Sequence, residues 1–254
     1  MMYWVAFKGE LTRTFIKAKR YGFDTLSRLL MTYFVFIAIF YGLKFMTGPT
    51  LNGGKLDELI IGYILWTFAV SAYFENSYDL AEESTIGTLE QLHLAPIGFH
   101  TIVLFRMISG YLLSIIYNIS VLYLTMLTTG RWLDLPIFNF LLIVTLAIPS
   151  IYGIGYIFGG LALVYKKIES SLMLIQFILI LFVSLPAWPL QKTSFLPFTA
   201  GAHSINRMVV YGESFPVWWY FFILGISLFY FFLGLGIFKL FETKARRLNL
   251  LGQY

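Results

Sequence analysis

Glu82-Glu83-Ser84-Thr85-Ile86-Gly87-Thr88-Leu89-Glu90-Gln91-Leu92-His93-Leu94-Ala95-Pro96 is a polar island between two strongly apolar runs. In a chain whose neighbouring segments prefer lipid, such an island belongs at or beyond the headgroups. Its local chemistry predicts a small helix. Thr88 and Gln91 have the spacing of a capping box, in which the Thr88 side chain caps the helix and Gln91 reaches back to the free N–H. Gly87 permits a sharp turn into that cap, and Pro96 stops the helix after about two turns. Leu89 and Leu92 share one face, and Glu90 sits near the positive helix start. A short rigid helix held out of a membrane on one side is suited to docking.

The composition fixes the solvent. Of 254 residues, 59% are hydrophobic and 12% are charged, about half the charged share of a soluble domain. The mean hydropathy is +0.78. There is no cysteine, which excludes disulfides and thiolate metal sites. The net charge of +5 is read as an inside excess of Lys and Arg, and no nucleic-acid partner is expected. No apolar core followed by a small-residue cleavage site opens the chain, so no removable signal peptide is expected. The reading is an all-α integral membrane protein forming one transmembrane domain over 1–254.

Outward from the island, the apolar runs predict six spans: about 26–46, 59–74, 107–128, 136–164, 171–188 and 217–238. Arg28 and Lys44 bound the first closely and are expected to snorkel. Before the spans, residues 1–22 read as an amphipathic interface helix. Tyr3, Phe7, Leu11 and Phe15 recur every four residues with Trp4 and Ala18 beside them, and Lys8, Arg13, Lys17 and Arg20 lie elsewhere on the wheel. The segment 189–216 is too long for a hairpin turn. Thr199 is expected to cap a short helix that Gly212 ends, with Ile205, Met208 and Val209 on its apolar side.

Orientation follows from the basic residues. With both termini cytoplasmic, only Lys44, Lys55, Arg131, Lys192 and Arg207 fall outside, and the other thirteen of the eighteen Lys and Arg fall inside. Trp132, Trp188, Trp218 and Trp219 then form an aromatic belt at the outer interface, and the 82–96 island faces the cytoplasm. The fourth span carries Pro149 and then Gly153, Gly155, Gly159 and Gly160, which predicts a kink and close helix packing within the subunit.

An N-terminal surface helix, six spans and Glu82-x-x-x-x-Gly87-Thr88-Leu89-Glu90-Gln91-Leu92-x-x-x-Pro96 between spans two and three resemble the permease subunit of ABC-2 family exporters. The layout is similar over the whole chain, and the motif match is confined to this segment. The resemblance implies that Glu82, Gly87, Thr88, Leu89, Glu90, Gln91, Leu92 and Pro96 form a cytoplasmic coupling helix that enters a groove on a separate ATPase subunit. It also implies half-inserted helices between spans five and six, a second permease chain (the same or related), and ATP with Mg on the partner rather than on this chain. Leu89 and Leu92 would fill the groove, and Glu90 would pair with a basic residue. Glu75, Asp79, Glu82 and Glu83 read equally well as a solvated acidic helix face.

Enzymatic readings find no residues to carry them. The nearest approach to a phosphate-binding loop, Gly48 to Gly54-Lys55-Leu56, has one residue too many and ends in Leu. His93, His100 and His203 are scattered without the adjacent Glu of a zinc protease, and no catalytic or metal-ligating set is expected. Asn118-Ile119-Ser120 matches a glycosylation pattern but lies inside a span. The expected function is export of a hydrophobic or amphiphilic molecule (a drug, lipid or lipid-linked glycan) across the plasma membrane. The alternative is a stand-alone carrier or channel.

Overall fold

The structure is a computed structural model that describes residues 2–47, 53–86, 96–165 and 168–247. Among them all regular structure is helical, as a bilayer requires of segments that cannot share backbone hydrogen bonds with water. The helices are α1 Met2–Arg20, α2 Gly22–Thr47, α3 Gly53–Ile86, α4 Phe99–Thr129, α5 Ile137–Ala147, α6 Pro149–Tyr165, α7 Glu169–Ser184, α8 Thr199–Tyr211 and α9 Val217–Arg247, with a 3-10 turn at Lys192–Phe195.

Among the described residues, five helical stretches are long and apolar enough to cross a membrane: α2, α3, α4, α5 with α6, and α9. The expected fifth span is shorter than its apolar run. Helix α7 stops at Ser184 because Pro186 drives Leu185 into an extended conformation. Its 16 residues extend about 24 Å, short of a hydrocarbon core about 30 Å thick. The fourth span divides at Pro149 into α5 and α6. Ile148 stays in the α region and donates to Val144 O at 2.9 Å, so the backbone stays helical up to the proline.

Helix α6 is the centre of the bundle, and its glycines explain why. A Cβ on Gly153 would stand 2.2 Å from Tyr230 O of α9, and one on Gly234 would stand 2.0 Å from Gly153 O. Gly160 faces Phe238 of the same helix α9. The Gly155-x-x-x-Gly159 pair turns the other way, toward α3. Ser77 Oγ donates to Gly155 O at 3.2 Å, and a Cβ on Gly159 would meet Leu80 at 2.4 Å. The small residues thus pack α6 between α3 and α9 within one subunit.

Helix α2 is fastened by hydroxyls and leaves most of its apolar surface exposed. Tyr63 donates to Thr32 O at 2.6 Å, Thr32 and Tyr117 share a bond at 2.6 Å, and Tyr117 donates to Arg28 O at 2.8 Å. Deeper in the bundle, Thr67 donates to Asn118 Oδ1 at 2.6 Å, so the glycosylation pattern at Asn118 is a buried helix–helix bond.

The bundle has two ends. The proximal end gathers α1, the end of α3, the start of α4 and the last turns of α9. The distal end gathers the start of α3, the end of α4, and α8. Arg131 lies 3.9 Å from Asp57 there, and Arg207 pairs with Glu213 beside Tyr211, which donates to Glu58. Tyr41, one turn before Lys44, donates to Thr128 O at the same end. Three of the cations expected outside, Lys44, Arg131 and Arg207, therefore share one end.

Trp219 departs from the expected belt. Trp132 and Trp218 are exposed, whereas Trp219 is fully buried and donates its indole N–H to Ser204 Oγ at 2.7 Å. The two adjacent tryptophans point to opposite surroundings because successive helical residues are turned by about 100°.

Candidate functional site: the proximal docking end

The polar island does not begin as a loop. Helix α3 runs without interruption from Gly53 to Ile86, so Glu82 lies in its last turns, about two turns past the expected end of the span at Phe74. No Gly or Pro stands between Gly62 and Gly87, so nothing stops the helix when its residues turn polar. The predicted docking residues Gly87, Thr88, Leu89, Glu90, Gln91 and Leu92 lie outside the described residues. The chain resumes at Pro96, which is exposed in a turn, and Gly98 then enters α4 with φ at 80°, a left-handed value that glycine adopts without strain.

Both chain-terminal helices hold this entry point. Phe99 is buried and stacks on Phe238 of α9, with ring centroids 5.8 Å apart and planes at 11°. One residue on, His100 Nε2 lies 3.8 Å from Glu242 Oε2, and Arg246 donates to Glu242 Oε1 at 2.7 Å. Arg106 Nε lies 3.6 Å from Glu10 Oε2 of α1, and both side chains are largely buried. The ring of Phe7 meets Phe105 edge-on at 5.5 Å. Arg106 thus stands two turns inside α4, rather than before it as the uncharged run suggested.

Helix α1 spans the interval expected of the interface helix, but the wheel sorts differently. Phe7, Leu11 and Ala18 turn inward with Glu10 between them, while Tyr3, Trp4 and Phe15 are exposed. The single acid of this basic helix is its anchor to the bundle. Its only legible signal is that it is acidic where every other charge is basic.

The acidic face of α3 is not uniformly solvated. Glu75 is half-buried, and a Cβ on Gly110 of α4 would stand 2.5 Å from its Oε2. Asp79 is half-buried as well. The side chains of Glu82 and Glu83 lie outside the described positions.

At the distal end, α8 has the predicted bounds and the predicted apolar side, with Ile205, Met208 and Val209 buried. Its cap differs. Phe198, at φ 66°, occupies the capping position without a side-chain hydrogen bond, and Thr199 is the first helical residue. Gly212, at φ 67°, ends the helix as predicted. A Cβ on Gly201 would meet the Ala147 Cβ at 2.4 Å, which puts the start of α8 against the junction between α5 and α6. Its end lies at Glu58, to which Tyr211 donates. His203, between these points, is held below the ordinary imidazole pKa by burial and then by the Arg207 charge, against the opposing pull of Glu213 and Glu58.

No family model matches this chain, and no curated protein is significantly similar to it in sequence.

Proposed function

We propose that this chain is the membrane-spanning permease subunit of an ATP-driven exporter of the ABC-2 type. The observation that carries the reading is positional. The segment 82–96 leaves the bundle at the same end as both chain-terminal helices, at the tip of a helix that runs on past its apolar span. With the Lys and Arg distribution that end is cytoplasmic, where a soluble ATPase is available. The segment Gly87–Pro96 docks on that ATPase as a coupling helix, with Leu89 and Leu92 in its groove and Glu90 on a basic residue. The partner binds ATP and Mg and hydrolyses the nucleotide, and this chain contributes no catalytic group. Helix α8, set from the α5–α6 junction to the distal surface, supports the half-inserted element implied by the resemblance. The cargo is a hydrophobic or amphiphilic molecule, and a second permease chain closes the path.

The test is a pull-down of the tagged chain from its own membranes in mild detergent, with mass spectrometry of the copurifying proteins. A Walker-motif ATPase is expected with the wild type and is expected to be lost from a Leu89→Asp, Glu90→Lys variant. Absence of any ATPase from a folded wild-type sample refutes the docking role. The second reading, a stand-alone carrier, then takes its place. Glu75, an ionisable group in a span, is the observation that favours it.

A further inference from the structure

We propose that Glu75 is a recognition group for the cationic headgroup of an amphiphile, a charge-selecting position within the path. The inference rests on the reading that this chain moves an amphiphile through the bilayer. It deepens that reading by naming the charge of the cargo.

Glu75 lies in α3 one residue past the end of the apolar run 59–74, at the height of Gly110, about one helical turn inside α4's run 107–128. A carboxylate at this depth costs several kcal/mol unless something compensates it. Among the described residues no basic side chain stands at ion-pair distance from Glu75, and no donor bonds to its carboxyl. The charged groups that face it are Asp79, one turn along α3, Arg28 of α2 and Lys17 of α1. Arg28 is committed elsewhere, donating to Asp24 at 2.7 and 3.0 Å. Tyr152 of α6 is close enough to feel the Glu75 charge, but its hydroxyl donates to Met107 O at 3.1 Å.

Space has been left for this carboxyl. It occupies the gap over Gly110, which any side chain there would close. On the neighbouring face of α3, Phe74 stacks on Tyr78 with ring centroids 5.4 Å apart. These two rings, with Leu172 and Met173 of α7, line a hollow of about 130 Å3. Tyr78 and Met173 are exposed, so the hollow opens on the bundle surface. A carboxyl without an ion-pair partner among the described residues, one residue along the chain from the Phe74 ring of a hollow at the bundle surface, fits a molecule with a positive head and an apolar body.

The test uses the purified full chain in nanodiscs without any ATPase, so its outcome is separate from that of the docking experiment. Binding of tetraphenylphosphonium is compared with binding of tetraphenylborate, a near-isosteric anion, after subtraction of empty nanodiscs. The wild type is expected to prefer the cation by about tenfold or more. Glu75→Gln is expected to abolish that preference, and Glu75→Asp to retain most of it. Equal binding of the two ions by the wild type overturns the proposal, as does a preference that survives Glu75→Gln. Should Glu75→Gln fail to yield a monodisperse protein, Gly110→Ala keeps the charge but takes its space. Loss of cation binding is then expected, and undiminished binding overturns the proposal.

Discussion

The two ends of the bundle combine packing and charge in different proportions. At the distal end, Trp219 is buried against Ser204, Gly201 sits on Ala147, and Trp188 packs edge-on against Trp219 at 4.9 Å. At the proximal end the closures pair groups far apart in sequence: Glu10 with Arg106, and Glu242 with His100, with Arg246 one turn along holding the same carboxylate. Close packing of rings and small residues admits one arrangement, and any other opens a void or a clash. Long charged side chains keep their attraction over several ångströms and several rotamers. Both ends use both kinds of contact: Arg131–Asp57 and Arg207–Glu213 stand beside the distal packing, and Phe99 stacks on Phe238 beside the proximal pairs, so the ends differ in proportion rather than in kind.

The largest effect is expected from breaking the distal packing. Trp219→Ala should cost about 3–5 kcal/mol by leaving a large cavity and removing the indole donor to Ser204, whose hydroxyl keeps its bond to Ala200 O, read as a fall in thermal unfolding temperature in detergent. A loss no greater than that of Trp218→Ala, which removes an exposed ring, would remove the contrast between adjacent tryptophans. A smaller effect is expected at the proximal end. Glu10→Gln with Glu242→Gln should cost about 1–3 kcal/mol each, since both carboxylates are largely buried, yet should reduce copurification of the proposed ATPase more than Trp219→Ala does. Full ATPase recovery from that double variant would show that these pairs serve the fold alone.

The smallest effect concerns acid. His203 has its pKa held below the ordinary value by burial, so α8 is packed around a neutral imidazole. The displaced state takes up the proton first. The contribution of His203 is therefore complete above about pH 6.5 and is lost progressively as the pH falls through and below that value. Unfolding temperature measured from pH 7.5 to 5.5 should fall more in the wild type than in His203→Gln. Parallel curves would remove His203 from the account.

Much of this architecture was legible because lipid imposes one rule on every span. The run lengths gave the positions of α2, α4 and α9, Pro149 gave the junction between α5 and α6, and Gly212 gave the end of α8. What stayed hidden depended on direction rather than on composition. Hydropathy stops a span at Phe74 where charge begins, whereas α3 continues through its polar residues to Ile86. Trp218 and Trp219 score alike and face opposite ways. Glu10 and Glu242 look like ordinary surface acids until α4 is placed between them. At the docking segment, the motif supplied a reading that the described residues frame from Ile86 and Pro96 without entering it.

The unbroken course of α3 has a mechanical consequence. Thirty-four residues of continuous helix make a rod about 50 Å long. It carries Glu58, where Tyr211 bonds, near one tip and Ile86 at the other. A tilt of about 5° about the distal tip would swing Ile86 through about 4 Å, close to the rise of one helical turn. A modest push on the segment after Ile86 is thus delivered as torque at the root of α8, with no hinge along the way to absorb it.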